Sequence, residues 1–245
     1  MVNPPVYITT SWDDGHPLDL RVAELLHKYD LPATFYIPIE NELPVLTPSQ
    51  VRALSAEFEI GAHTLHHSDL LTIPESLTCE EIAGCKTVLE QICSRRCTAF
   101  CFPKGHFRRN HLRHVRSAGY RVARTVELMS LDMPRMHSGL AMVATTVQAG
   151  PMGFLKVARN SLKRLRPGNL FRHMLYGKSD WVATSERVLE RVLSCGGVFH
   201  FWGHSWEVDQ MGQWQNLERV LATLSQCKGR AVFTDNTGLT DLAMP

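Results

Sequence analysis

The sequence predicts an α/β protein, a mainly parallel sheet covered by helices and either open or closed into a barrel. Three observations predict it. Short β-branched or aromatic runs alternate with longer segments of helical spacing, and repeated βα units of this kind imply parallel strands. The chain has 245 residues, 44% of them hydrophobic; that supports one sizeable core and fits a single domain over 1–245. Finally, the residues richest in chemistry fall just after the strand-like runs, and barrels of this class gather functional groups at the C-terminal ends of their strands.

Taken in order, Val6–Trp12 reads as a strand and Asp19–Tyr29 as a helix with Val22, Leu25 and Leu26 on one face. Ala33–Pro38 is the next strand. Thr47 and Pro48 supply an N-cap and a first-position proline for a helix. Phe58–Ala62 is a strand, and Thr78 with Glu81 reads as a capping box for a helix running to about Cys93. Strands follow at Ala99–Phe102, Tyr120–Ala123 and Val198–Trp202, with helices near Arg108–Ser117, Ser185–Leu193 and Gln213–Ser225.

The segment from Pro134 to Lys178 breaks this rhythm. It holds eight cations and no acidic residue, so it carries +8 while the rest of a +2 chain carries −6. It reads as a basic insertion within the domain. Phe154, Leu155, Leu162 and Leu165 could form a helical stripe there with Lys156, Lys163, Arg164 and Arg166 around it, either a lid over a barrel mouth or a contact with an anionic membrane surface. No recognised nucleic-acid module accompanies these charges, so no nucleic-acid partner is expected. No apolar run approaches the ~20 residues that span a bilayer. The N-terminal stretch does not read as a signal peptide, and seven cysteines, an odd number, suit free thiols better than a disulfide framework. A cytoplasmic location is the expectation.

Four clusters carry chemistry. In Ser11-Trp12-Asp13-Asp14-Gly15 two adjacent carboxylates end a strand; one could bind a metal while the other stays free as a base. His63, His66 and His67 follow another strand. A lone histidine is more often structural, but three within five residues favour a metal. On one helical turn His63 and His67 could face one cation, with His63 and His66 as the alternative pair. Together with one Asp they form a two-histidine, one-carboxylate face. The third cluster, Phe102-Pro103-Lys104-Gly105, shapes a rigid turn whose amides could point into a site. In the fourth, His200-Phe201-Trp202-Gly203-His204-Ser205-Trp206-Glu207, His200 reads as a buried core histidine.

These residues resemble the motifs of the polysaccharide deacetylases, the NodB-homology group of carbohydrate esterase family 4. Ser-Trp-Asp13-Asp14-Gly is similar to the first motif, His63-Thr64-x-x-His67 to the second, and Phe102-Pro103-Lys104-Gly105 to the third, while His204 lies where the fifth places its histidine. The resemblance implies a distorted (β/α) barrel of mainly parallel strands and metal-dependent removal of acetyl groups from N-acetylated sugars. It implies that Asp14, His63 and His67 bind a divalent metal, commonly Zn2+ with Co2+, Ni2+ or Fe2+ as alternatives. Asp13 would be the base and His204 the acid. Pro103, Lys104, Gly105, Trp202 and Trp206 would contact substrate. Cys101 stands where the family usually has an arginine that holds the catalytic aspartate, and Arg124, at the end of the Tyr120–Ala123 strand, is the candidate to replace it. For a cytosolic member the substrate would often be a nucleotide-linked or polyprenyl-diphosphate-linked sugar. Two other readings compete: hydrolysis of a small cyclic amide or imide on the same fold, and an inactive relative that binds carbohydrate through Trp202, Trp206 and Trp214.

Overall fold

The structure is a computed structural model describing residues 4–178 and 180–243. In chain order its elements are β1 (Val6–Asp13), α1 (Asp19–Lys28), β2 (Thr34–Ile37), α2 (Pro48–Leu54), β3 (Glu59–Ala62), α3 (Glu75–Cys93), β4 (Ala99–Cys101), α4 (Arg109–Ser117), β5 (Val122–Arg124), β6 (Arg135–His137), β7 (Leu140–Val143) and β8 (Val147–Gln148). The second half adds α5 (Phe154–Lys163), α6 (Pro167–Tyr176), α7 (Trp181–Cys195), β9 (Gly197–Gly203), α8 (Ser205–Gln210), α9 (Trp214–Ser225), β10 (Val232–Phe233) and α10 (Asn236–Ala243).

The strands form one sheet in the order β6-β7-β5-β4-β3-β2-β1-β9-β8, with β10 also against β1. Every pairing is parallel except the β6–β7 hairpin. Three residues separate β7, which pairs with β5, from β8, which pairs with β9. Between them Thr145 N–H donates to Glu127 O and Thr146 N–H to His200 O. One run of chain therefore joins both ends of the sheet and curls it into a distorted barrel. All eight residues of β1 are buried, as expected of a central parallel strand covered on both faces.

Strand parity divides the core. Odd residues of β1, with Tyr36, Cys101, Val122 and Val198, face the barrel interior, where they meet Leu239 of α10; Ile8, Trp12, Phe35, Phe100 and Phe199 pack outward under the helices. Asn236, at the start of α10, closes the lower end by donating to Tyr36 Oη (2.8 Å) and accepting from Thr9 Oγ1 (3.0 Å). The interior thus narrows to polar groups at the opposite, C-terminal ends of the strands.

Local expectations are corrected at two places. Helix α3 begins at Glu75, not at a Thr78–Glu81 capping box: Thr78 Oγ1 bonds back to Pro74 O (3.3 Å) and Glu81 turns to His66. The basic segment is also not wholly an insertion. Its first part supplies β6, β7 and β8, which belong to the sheet, and only the α5–α6 hairpin stands outside the βα rhythm. By contrast Thr47 caps α2 through a capping box with Gln50, with Pro48 at its first position.

Candidate active site

β1 ends in Asp13 and Asp14, and the backbone sends them different ways. Asp13 is the last strand residue and faces inward with Ser11; Asp14 has φ +79° and Gly15 φ +59°. A left-handed Asp is tolerated because its short polar side chain can bond locally, and here it swings the second carboxylate out to the strand's mouth.

His63 and His67 converge on Asp14, though not on a helical turn. They sit in a loop after β3 in which Thr64 (φ +66°) and His67 (φ +51°) are left-handed, and those two residues fold the chain back in place of a helix. His63 Nε2 lies 3.6 Å and His67 Nε2 3.2 Å from Asp14 Oδ1. His63 Nδ1–H donates to Cys101 O (2.8 Å), which leaves Nε2 as the free lone pair on the cluster. Burial, foremost, keeps His63 neutral, with a pKa down at about 4. Burial pushes Asp14 up, yet the His67 hydrogen bond and the imidazoles of His204, His63 and His67 outweigh it and hold the carboxyl well below its usual range. Trp206 Nε1 donates to the other oxygen, Asp14 Oδ2 (2.9 Å). His66 turns away, its Nδ1 on Glu81 Oε1 at 2.6 Å.

Two imidazoles and a carboxylate whose donor atoms lie within 4.8 Å of one another could hold one divalent cation. Separations of 3.2 and 3.6 Å are those of atoms sharing an ion at roughly 2.1 Å. A second triplet, Asp13, His63 and Cys101, is as close, but it suits a cation less well. Burial holds the Cys101 thiol well above its usual range, so it stays protonated, and Asp13 is engaged elsewhere.

Asp13 Oδ1 accepts from Arg124 Nη2 at 2.6 Å, with both side chains almost wholly buried. The strand register explains the pair: Arg124 of β5 lies directly beside Cys101 of β4. The guanidinium therefore reaches Asp13 from one strand further round the barrel. It rests 4.5 Å from the Trp202 ring and 5.4 Å from the Tyr36 ring, contacts that favour a buried cation. Its Nη2 also lies 3.5 Å from Ser11 Oγ. Ser11 O–H donates to His200 Nε2 (2.8 Å), whose Nδ1–H donates to Ala144 O (2.8 Å). His200 is fully buried, and burial with the charge of Arg124 holds it neutral, at about 3.

Across the cavity, His204 Nε2 is 4.0 Å from Asp13 Oδ2 and 3.9 Å from Asp14 Oδ2. Its Nδ1–H donates to Glu207 Oε2 at 2.8 Å. Burial lowers the His204 pKa, but Glu207, Asp14 and Asp13 together raise it above the ordinary histidine value. Glu207 also accepts from Gln148 Nε2 (3.0 Å), and Lys156 Nζ donates to Gln148 Oε1 (2.7 Å).

These groups line a cavity of about 360 Å³. Asp13, Asp14, His63, His67, Lys104, Trp202, His204 and Trp206 all face it. Pro103 and Gly105 do not; they are buried in the turn that presents Lys104, itself left-handed at φ +57°. Arg124 lies beneath the floor. Trp214 is elsewhere, stacked under Arg21 (4.1 Å), so a carbohydrate surface built on Trp202, Trp206 and Trp214 together is not formed. Sequence reading missed Asn160 and Gln148 in the lining and Glu207 as partner of His204; Lys156 it placed on a helix that could lie over the barrel mouth, and Lys156 lines the cavity. Only Glu207 had a local signal, its i, i+3 spacing from His204 at a helix start.

The polysaccharide deacetylase family model matches residues 2–123, the stretch that carries both aspartates, the histidine pair and the Lys104 turn. The chain belongs to the polysaccharide deacetylase family. Solved polysaccharide deacetylases share its fold at low identity. A Mycobacterium smegmatis protein assigned to this group is 11% identical, with a TM-score of 0.66 over 99% of this chain and 91% of that one. The chitin deacetylase of the fungal pathogen Colletotrichum lindemuthianum is 13% identical, with a TM-score of 0.60 over 98% and 90%. A Bacillus cereus polysaccharide deacetylase is 22% identical, but the chain spans only 44% of its length, with 55% of this chain aligned at a TM-score of 0.46. No curated protein matches the sequence. Polysaccharide deacetylases are hydrolases of carbon–nitrogen bonds outside peptides, generally served by a divalent metal.

Proposed function

We propose that the protein removes the acetyl group from an N-acetylated sugar or saccharide conjugate by metal-assisted hydrolysis. One observation carries the reading. A carboxylate held by a buried arginine, a histidine held by a carboxylate, and a His-His-Asp donor set all face one cavity. In this reading Asp14, His63 and His67 hold the cation, zinc by preference, which supplies Lewis acidity toward the acetyl carbonyl and the attacking water. Asp13 accepts the water's proton, and Arg124 holds that carboxylate in position. His204, made more basic by Glu207 and the two aspartates, gives a proton to the departing amine. Trp206, the largely buried Trp202 and Lys104 border the cavity that would take the sugar ring.

A diphosphate-linked sugar extends the reading. A second cavity, about 560 Å³, uses Thr125 and Glu127 where the first uses Val126 and Leu128. It is lined by five arginines. Arg135 pairs with Asp132 and Arg166 lies 3.4 Å from Glu127, while Arg108, Arg109 and Arg164 have no carboxylate partner among the described residues, leaving a net positive neighbour to the site. We place the protein in the cytoplasm in this reading, which its seven free cysteines suit.

The test is to load the purified protein with zinc and supply N-acetylated oligosaccharides, diphosphate-linked N-acetylated sugars and cyclic imides. Acetate and new amine should appear in equal amounts, and only with metal. Ring opening of an imide without acetate release would overturn the reading.

A further inference from the structure

Among the described residues, eleven large apolar side chains are exposed, and seven of them lie on the α5–α6 hairpin between Phe154 and Leu175. Each helix buries only two residues, Val157 and Ser161 on α5, Asn169 and His173 on α6. The two sides of the hairpin differ in kind. Its inner side seats Val157 in the core and is pinned by polar contacts. Asn160 accepts from Leu128 N–H (3.0 Å) and donates to Val126 O (2.7 Å), Asn169 donates to Glu127 (3.0 Å), and Arg172 bonds Met129 O. Lys156 and Asn160 line the active-site cavity itself. The outer side is apolar: Leu155, Leu162 and Leu165 are 73%, 69% and 85% exposed, and Phe171, Met174 and Leu175 continue the face on α6 at i, i+3, i+4 spacing. Arg159 and Lys163 flank it and are exposed.

Concentrated apolar exposure of this kind marks an interaction surface. Its setting points to one partner. No acidic residue occurs between Pro134 and Lys178, so the hairpin's own face of leucines and phenylalanine carries cations and no anion; beside Leu175 the neighbouring α7 adds Arg187 and Arg191 against one carboxylate, Glu190. That net positive, apolar surface is the pattern of helices that settle into the interface of an anionic bilayer. We propose that the α5–α6 hairpin docks on an anionic lipid bilayer, its outer face entering the headgroup region with Arg159 and Lys163 on the lipid phosphates. Because the same helix carries Lys156 and Asn160 into the cavity, docking brings the site to the membrane surface, where a lipid-diphosphate-linked saccharide is held. That last consequence rests on the proposed deacetylase reading; the docking does not.

The experiment is co-sedimentation of the whole protein with phosphatidylcholine vesicles with and without phosphatidylglycerol, across salt. The parent should bind the anionic vesicles at low salt and progressively less through ~0.15 M, where screening acts over about 8 Å. Arg159→Gln with Lys163→Gln should weaken that binding on the order of tenfold or more, at about 1 kcal/mol for each cation near the surface. Leu155→Gln, Leu162→Gln and Leu165→Gln together should abolish it at every salt concentration. All five side chains are exposed, so melting temperature and turnover of a soluble N-acetylated oligosaccharide should match the parent. A parent that ignores anionic vesicles at low salt, or a triple leucine variant that binds like the parent, overturns the proposal. So does a dimer in sedimentation analysis that the leucine variant dissolves, which would make the face a contact between copies. Binding without deacetylation would instead overturn the function proposed above and leave the docking standing.

Discussion

The pairing of Asp13 with Arg124 sets what single substitutions do. Two buried charges neutralise each other, and removal of one leaves the other unpaired out of water. Arg124→Met should therefore destabilise the fold by about 3–5 kcal/mol, measured by urea unfolding. In a double-mutant cycle with Asp13→Asn, the double variant should cost less than the two singles added, because neither lone charge remains. Additive costs would dissolve the pair as an energetic unit. Asp13→Asn should also keep the metal, since Asp14, His63 and His67 are untouched, yet lose roughly 10²–10⁴ in kcat if Asp13 is the base. His204→Ala should lose a comparable factor, whereas His200→Ala should show its damage in stability. A His200 variant that folds normally and yet loses more kcat than the His204 variant would reverse that assignment. At the metal, His67→Ala should abolish zinc binding by titration and His66→Ala should not, because His66 is engaged with Glu81.

Among the elements, the Pro103–Gly105 turn shapes the cavity partly through a residue, Gly105, that does not line it. Gly105 sits at φ +64°, and a Cβ there would meet Val126 Cγ2 at 2.1 Å. Val126 borders the cavity and its carbonyl anchors α5 through Asn160. Gly105→Ala should therefore lower the melting temperature, costing roughly 1–3 kcal/mol, and raise KM more than it lowers kcat. An unchanged KM would mean that Val126 yields away from the cavity. The second cavity gives the other test. Arg108 and Arg109 are exposed at its rim, so replacing both by Gln should raise KM for a diphosphate-linked substrate several-fold and leave a neutral oligosaccharide alone. Equal effects on both substrates would remove the support for an anionic subsite.

For the whole molecule, His200 ties folding to pH. Unfolded, it titrates near 6.5; folded, it stays neutral down to about 3. Between those values the unfolded chain binds the extra proton, so stability falls as pH drops through that window and recovers as pH rises. In metal-free protein, stability between pH 6 and 4 should decline less steeply in His200→Gln than in the parent, by about 1.4 kcal/mol per pH unit. Identical slopes would show that His200 takes up its proton in the folded state as readily as in the unfolded one. Metal adds a second linkage: zinc at a hundred times its Kd should stabilise the native state by about 2.7 kcal/mol. His63→Gln should remove that increment.

The alternation of strand and helix, the Thr47–Pro48 cap and the clusters at strand ends were all readable from the sequence, because each depends on neighbours within a few positions. The match of Asp13-Asp14 and His63-x-x-x-His67 to family motifs was readable for the same reason. Tertiary structure decided what lies between distant segments. It set Arg124 beside Cys101 through the β4–β5 register, and so within reach of Asp13. Left-handed residues at Asp14, Thr64 and His67 gathered the donor set that a helical turn was expected to form. It also split the basic segment, drawing β6–β8 into the sheet and leaving the apolar side of α5–α6 facing outward. Local pattern cannot specify such outcomes, since amphipathic spacing marks a face on a helix but does not say whether protein or solvent meets it.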